Sequence, residues 1–219
     1  MKRMAAIFMA LLFSAGLSFA QTPDPFAGIR KNLMDAASAS VAAVYERRFE
    51  VVPQVRPAVI RRYSGTAFRR LNELKPVIGP IFEQHSVPQE FLLVAMIESG
   101  FRTEAVSAAN AIGMWQFIES TARRFGLIDS AGDHRTDLVR STHAAAQYLD
   151  FLLSRYKDWP LVLAAYNAGE ERVDRAIAEA ESRDFAELAR RRLLPDETLK
   201  YVPAVLRSMA RARSAEVFP

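Results

Sequence analysis

Seven consecutive apolar residues, Phe91-Leu92-Leu93-Val94-Ala95-Met96-Ile97, are followed directly by an acid, Glu98. Wound as a helix, such a run is apolar on every side, and a helix without a polar face belongs in the middle of a core. The residues around it support a helix. Ser86-Val87-Pro88-Gln89 reads as a start, with Ser86 as cap, Pro88 in the first turn and Gln89 closing a capping box. Ser99-Gly100 reads as a stop. The rest of the chain therefore has to surround this element, and at 219 residues with 50% apolar content it can.

The surrounding elements also read as helices. From Thr66 to His85, Phe68, Leu71, Leu74, Val77, Ile78 and Phe82 recur at helical spacing, although Pro76 and Pro80 predict a late start, a kink or a split. Thr121 to Phe125 reads as a short helix ended by Gly126. After a polar connection, Asp129 to Leu138, Thr142 reads as the cap of a long helix with the stripe Ala145, Tyr148, Leu149, Leu152, Leu153, Tyr156. Asp158-Trp159-Pro160 opens another, running to Tyr166 and stopping at Asn167-Ala168-Gly169. Glu170–Glu181 and Glu197–Ala212 complete the set. No alternating strand pattern exceeds four residues, so the body is all-α. Upstream, residues 21–57 read as an arm. Ile29, Leu33, Ala37, Val41 and Val44 predict one helix there, and Pro53 and Pro57 make the stretch after it an extended linker. The expected domain is 58–219.

Lys2-Arg3, an apolar run from Met4 to Leu17, and Ser18-Phe19-Ala20 before Gln21 form the three-part pattern of a secretory signal peptide, and the run is too short to span a bilayer. Losing residues 1–20 removes Lys2 and Arg3 and lowers the formal charge from +4 to +2. That small, interleaved balance is no nucleic-acid footprint, though it suits a polymer carrying carboxylates. With no Cys, thiol catalysis, iron–sulfur clusters and lipoprotein acylation are excluded, and His85, His134 and His143 fit no metal-ligand spacing. No cofactor or metal is expected.

Three clusters resist a pure core reading. Glu98 emerges from an apolar helix, where burial and the helix dipole both raise a carboxyl pKa, unless the side chain turns to solvent or pairs with Arg102. Met114-Trp115-Gln116 and Tyr166-Asn167-Ala168-Gly169 each set an amide beside a thioether or aromatic where a helix meets a loop. Taken singly, Asn167 can be a helix cap, Trp115 core and Gln116 surface.

Four segments occur in order: Glu98-Ser99-Gly100-Phe101, Gly113-Met114-Trp115-Gln116-Phe117, Ala164-Ala165-Tyr166-Asn167-Ala168-Gly169, and Leu194-Pro195-Asp196-Glu197-Thr198 with Tyr201-Val202-Pro203. Together they resemble the SLT-type lytic transglycosylases (peptidoglycan lytic transglycosylase family 1), most closely the membrane-bound type D branch, over roughly residues 68–215. The resemblance implies a lysozyme-like (SLT/goose-type) helical domain that cleaves the MurNAc-β-1,4-GlcNAc bond of peptidoglycan glycan strands. It implies Glu98 as sole catalytic acid/base, and Ser107, Met114, Gln116, Tyr166, Asn167 and Glu197 lining the glycan cleft. Trp115 and Tyr166 would offer faces to sugar rings or shield Glu98. Asn110 departs from the family by standing where Gly usually precedes Ala111, which asks for a left-handed Asn or a different turn. Leu138 and Ala186 replace a common Pro and a common Trp.

The implied chemistry is non-hydrolytic, giving 1,6-anhydroMurNAc. The alternatives are a goose-type lysozyme-like muramidase, in which water replaces the C6 hydroxyl, and a non-catalytic glycan-binding or docking protein. The 21–57 arm offers a site for a cell-envelope protein partner. The expected location is the periplasm, without a lipid anchor. N-terminal sequencing of the protein recovered from the periplasm should begin at Gln21; recovery in membranes with Met1–Ala20 attached would contradict this.

Overall fold

The computed structural model describes residues 65–214 and 217–218. The expected signal segment 1–20, the arm 21–57 and the start of the domain at 58 lie outside the described residues. Helix α1 (Thr66–Gln84) is held by Leu71, Ile78 and Phe82, all without exposed surface. It runs unbroken through Pro76 and Pro80, where a kink or split was expected. Both prolines, and Asn72 one turn earlier, are exposed. The carbonyls left without a partner therefore face water instead of the core.

Ser86 does not cap the next helix. It takes φ 55°, and with Val87 it closes α1 through Ser86 N–H to Glu83 O (2.9 Å) and Val87 N–H to Phe82 O (3.0 Å). Gln89 donates to the Glu83 carboxylate instead of closing a capping box. The apolar run starts as a 3₁₀ turn, Gln89–Leu92, and continues as α2 (Leu93–Ser99). Phe91 to Met96 are buried, as an element without a polar face requires.

Helix α3 (Glu119–Arg124) is followed by a two-residue antiparallel hairpin, β1 (Ile128–Asp129) and β2 (Gly132–Asp133). Strands this short carry no alternation to read. Asp129 Oδ1 shapes the turn by accepting from the Ala131 and Gly132 N–H groups (2.7 and 3.2 Å). Helix α4 (Leu138–Tyr156) begins one turn before the expected cap. Asp137 caps it by accepting from Arg140 N–H (2.8 Å), while Thr142 lies inside and hands its hydroxyl proton to Leu138 O. The freed Thr142 oxygen accepts from Trp115 Nε1 (3.1 Å), tying the helix to the core.

Helix α5 (Trp159–Ala168) starts where expected, and Asp158 caps it by accepting from Leu161 N–H (3.1 Å). This helix is a second fully buried element, with Leu161 to Ala165 all at 0% exposure. Phe91 and Trp159 join the two buried segments with ring centroids 3.9 Å apart. Helices α6 (Glu170–Ala180), α7 (Phe185–Arg190) and α8 (Asp196–Ser214) follow. Six residues are too few for α7 to show periodicity, and Asp184 capping Ala186 N–H (3.0 Å) defines it. α5 packs against α4, α6 and α8, and α2 packs against α8. Among the described residues the body is helical apart from the hairpin.

The long loop between α2 and α3 is pinned by Arg135, which is only 6% exposed. Arg135 Nη1 donates to Phe117 O (3.0 Å), and its other guanidinium nitrogens hold Asp133. The Arg135 carbonyl lies 2.0 Å from where a Cβ on Gly113 would stand, and Gly113 has φ +86°. Gly113→Ala should lower unfolding free energy by at least about 2 kcal/mol, read from denaturant midpoints, through left-handed strain and displacement of this carbonyl.

Candidate active site

The C-terminal end of α2, the following loop, the α5–α6 junction and the start of α8 enclose a cavity of about 910 Å³. Glu98, Ser107, Gln116, Tyr166, Asn167 and Glu197 all line it. Met114, the remaining residue of the expected set, does not. Its side chain has no exposed surface and packs in the core, while its carbonyl accepts from Ser99 Oγ (2.8 Å).

Glu98 is the penultimate residue of α2, and the chain turns away sharply behind it. Gly100 and Phe101 are both left-handed, with φ 62° and 61°. Ser99 secures this corner, donating to Met114 O and accepting from Arg102 N–H (3.0 Å). Arg102 does not neutralise Glu98, since its Nε donates to Ser99 O (3.0 Å). Burial raises the Glu98 pKa from an ordinary 4.5 to about 7. Tyr201 opposes that rise through its hydroxyl, and the Glu197 charge adds to it. The buried Tyr201 hydroxyl faces Glu98 and favours its ionised form.

The other residues are fixed from behind. Gln116 takes φ 53°, and its Nε2 donates to Gly113 O (2.9 Å) and Ala105 O (3.3 Å). Its amide oxygen is thereby the group left to meet a ligand. Ser107 Oγ accepts from Ala109 and Ala111 N–H (3.2 and 3.0 Å), shaping the turn that Asn110 completes with φ 56°. Of the two readings of the family departure, a left-handed Asn or a different turn, the structure has the left-handed Asn. Tyr166 donates its hydroxyl proton to Trp115 O (2.9 Å). Asn167 Oδ1 accepts from Thr198 Oγ1 (2.7 Å), joining α5 to α8. Trp115 also lines the cavity, but it is fully buried and stacked on Phe82 (5.3 Å, 19°), which fits the shielding alternative and leaves no ring face for a sugar.

Sequence reasoning assigned no role to Tyr201 or Tyr148, which also line the cavity. Tyr201 stands four residues after Glu197 on the same face of α8, a spacing that could have flagged it. Tyr148 read as part of an apolar stripe.

Comparison with known proteins supports the family reading. The Transglycosylase SLT domain family matches residues 80–189. Membrane-bound lytic murein transglycosylase D of Escherichia coli K12 is 42% identical over 130 residues, covering 57% of this chain and 28% of the relative. The peptidoglycan transglycosylase of Escherichia phage T7 is 37% identical over 100 residues, covering 44% of this chain and 8% of the relative. The X-ray structure of an inactive mutant of lytic transglycosylase Slt from Pseudomonas aeruginosa superposes with TM-score 0.52 at 18% identity, over 88% of this chain and 30% of that one. The fold is the lysozyme-like SLT fold. The chain spans under a third of the length of each of these relatives.

The raised Glu98 pKa has a consequence for stability. Between about pH 4.5 and 7 the folded protein holds a proton on Glu98 that the unfolded chain has released, so stability falls as pH rises through that window. The loss amounts to about 3 kcal/mol above it. Glu98→Gln should therefore melt several degrees above wild type at pH 8 and close to wild type at pH 4, as read by thermal denaturation at both pH values.

Proposed function

This chain belongs to the Transglycosylase SLT domain family, and on that premise we propose that it is a peptidoglycan lytic transglycosylase with Glu98 as its single acid/base. The observation that carries the reading is a carboxyl group at the end of a buried helix, opening on a long cavity, with its pKa raised to about 7. Such a group is protonated in about half of the molecules at neutral pH, which suits it to give a proton and then take one.

Glu98 donates its proton to the glycosidic oxygen as the C1–O bond of MurNAc breaks and GlcNAc leaves. The MurNAc N-acetyl carbonyl oxygen bonds to C1 as a neighbouring group, giving an oxazolinium, so no protein nucleophile is required. Glu98, now a carboxylate, removes the proton from the C6 hydroxyl. The C6 oxygen closes on C1, the oxazolinium opens back to the N-acetyl group, and 1,6-anhydroMurNAc is released. Gln116 and Asn167 bring amide groups to the cleft wall, and Ser107, Tyr166 and Glu197 complete its polar lining. Tyr201, facing Glu98, stabilises the carboxylate formed midway.

The same reading places the protein in the cell envelope, with residues 21–57 as an arm preceding the catalytic domain and open to an envelope protein partner. Among the described residues no helix is long and apolar enough to cross a membrane. The signal-like segment 1–20 supports a periplasmic location.

Mass spectrometry of sacculi digested with the wild-type protein should give anhydro-ended muropeptides, and Glu98→Gln should lose at least about 100-fold in activity. Reducing-end MurNAc as the main product would transfer the assignment to hydrolysis. Near-normal activity of Glu98→Gln would overturn the mechanism.

A further inference from the structure

Glu170, the first residue of α6, lines the cavity and is not needed by the chemistry above. Its carboxylate is divided between two elements. Arg124 of α3 donates to Oε1 (2.6 Å), and Tyr148 of α4 donates to Oε2 (3.2 Å). Its own carbonyl accepts from the Tyr156 hydroxyl (3.2 Å). Arg124 is in turn seated over the rings of Phe151 (4.2 Å) and Phe125 (5.3 Å).

An acid in the first turn of a helix, paired with a half-exposed arginine, is ordinarily a small surface contribution. Tyr148 makes this case different. It is 5% exposed, and its ring packs 5.0 Å from Phe125 and 5.3 Å from Tyr166. Tyr166 is anchored by Trp115 O and lies within the field of Glu98. Without Glu170 the buried Tyr148 hydroxyl loses its acceptor and has to swing toward the cavity to reach water, taking its ring off Tyr166.

We propose that Glu170 is a positioning residue: gripped by Arg124 and Tyr148, it holds the Tyr148 and Tyr166 rings in place as the wall that keeps water from Glu98. The groups that face Glu98 are Tyr201 and Glu197 from α8 and Tyr166 from α5. Glu170 is not among the groups acting on Glu98 directly. Its influence on Glu98 therefore passes through the rings. The catalytic meaning of that influence rests on Glu98 being the acid/base; the shielding itself does not.

The test is a direct titration of the Glu98 carboxyl by ¹³C NMR in protein labelled on glutamate, the signal assigned by its loss in Glu98→Gln. In wild type the midpoint should lie near 7. Glu170→Ala should lower it by about one unit, and cleavage of peptidoglycan at pH 7 should fall about fivefold with the protonated fraction. Tyr148→Phe, which has no hydroxyl to draw the ring toward water, should leave the midpoint near the wild-type value, and adding it to Glu170→Ala should bring the lowered midpoint back toward wild type. Glu170→Gln, which removes the charge but keeps an oxygen for Tyr148, should shift it less than Glu170→Ala. A folded Glu170→Ala with a lower melting temperature and an unmoved midpoint would show an ordinary ion pair and overturn the proposal. If Glu170→Ala does not fold, an unmoved midpoint in Glu170→Gln, where Tyr148 keeps only a neutral and weaker acceptor, overturns it equally. A midpoint that moves in a protein that cuts no peptidoglycan would leave the shielding standing and remove Glu98's role.

Discussion

The structure depends on burying α2 from every direction. Phe91 to Met96 each lose nearly all their exposed surface. At roughly 1.5–3 kcal/mol for a large apolar side chain, that burial outweighs the strain of the partly desolvated carboxyl that follows them. The requirement also dictates the neighbours. A helix without a polar face needs companions on all sides, and α5, buried from Trp159 to Ala165, supplies one whose Trp159 meets Phe91 directly. The carboxyl of Glu98 is thus delivered to a cavity wall by an element that cannot shift without exposing the core.

Much of the polar machinery near Glu98 faces inward. Ser99 binds α2 to the carbonyl of Met114, Tyr166 binds α5 to the carbonyl of Trp115, and Thr198 binds α8 to Asn167. Each bond joins two of the four segments on which the family resemblance rests. The four segments form one structural unit in which every piece fixes another. A glycan would meet only the atoms this fastening leaves over, such as the Gln116 amide oxygen.

What was legible in the sequence was whatever a local rule decides. The buried run, the stop at Gly100 and the helix start at Asp158-Trp159-Pro160 each follow from a few adjacent residues, and at Asn110 the structure takes the left-handed one of two readings. What escaped depends on distant partners. The resemblance puts Met114 on the cleft wall, but the position of Ser99 and the surrounding helices turns it inward. Thr142 reads as a cap until Trp115 claims its oxygen and Asp137 takes the capping role. Pro76 and Pro80 predict a break unless the freed carbonyls face water, and which side of α1 faces water is a property of the whole fold. Tyr148 reads as part of an apolar stripe and Tyr201 only as part of a family segment; both are buried, and that both also line the cavity is a tertiary fact.

A single group that must act first as an acid and then as a base faces a compromise. A carboxyl with an ordinary pKa is almost wholly ionised at neutral pH and rarely holds the proton to give, whereas one raised far beyond 7 ionises too reluctantly to leave a useful carboxylate. The environment of Glu98 contains both tendencies. Burial and the Glu197 charge push the pKa up, while the Tyr201 hydroxyl favours the ionised form and pulls it back. The balance near 7 depends on groups from two directions, the apolar wall behind α2 and the polar face of α8. On the proposed mechanism, catalysis by one carboxyl would therefore require the packing of α8 against α2 as much as Glu98 itself.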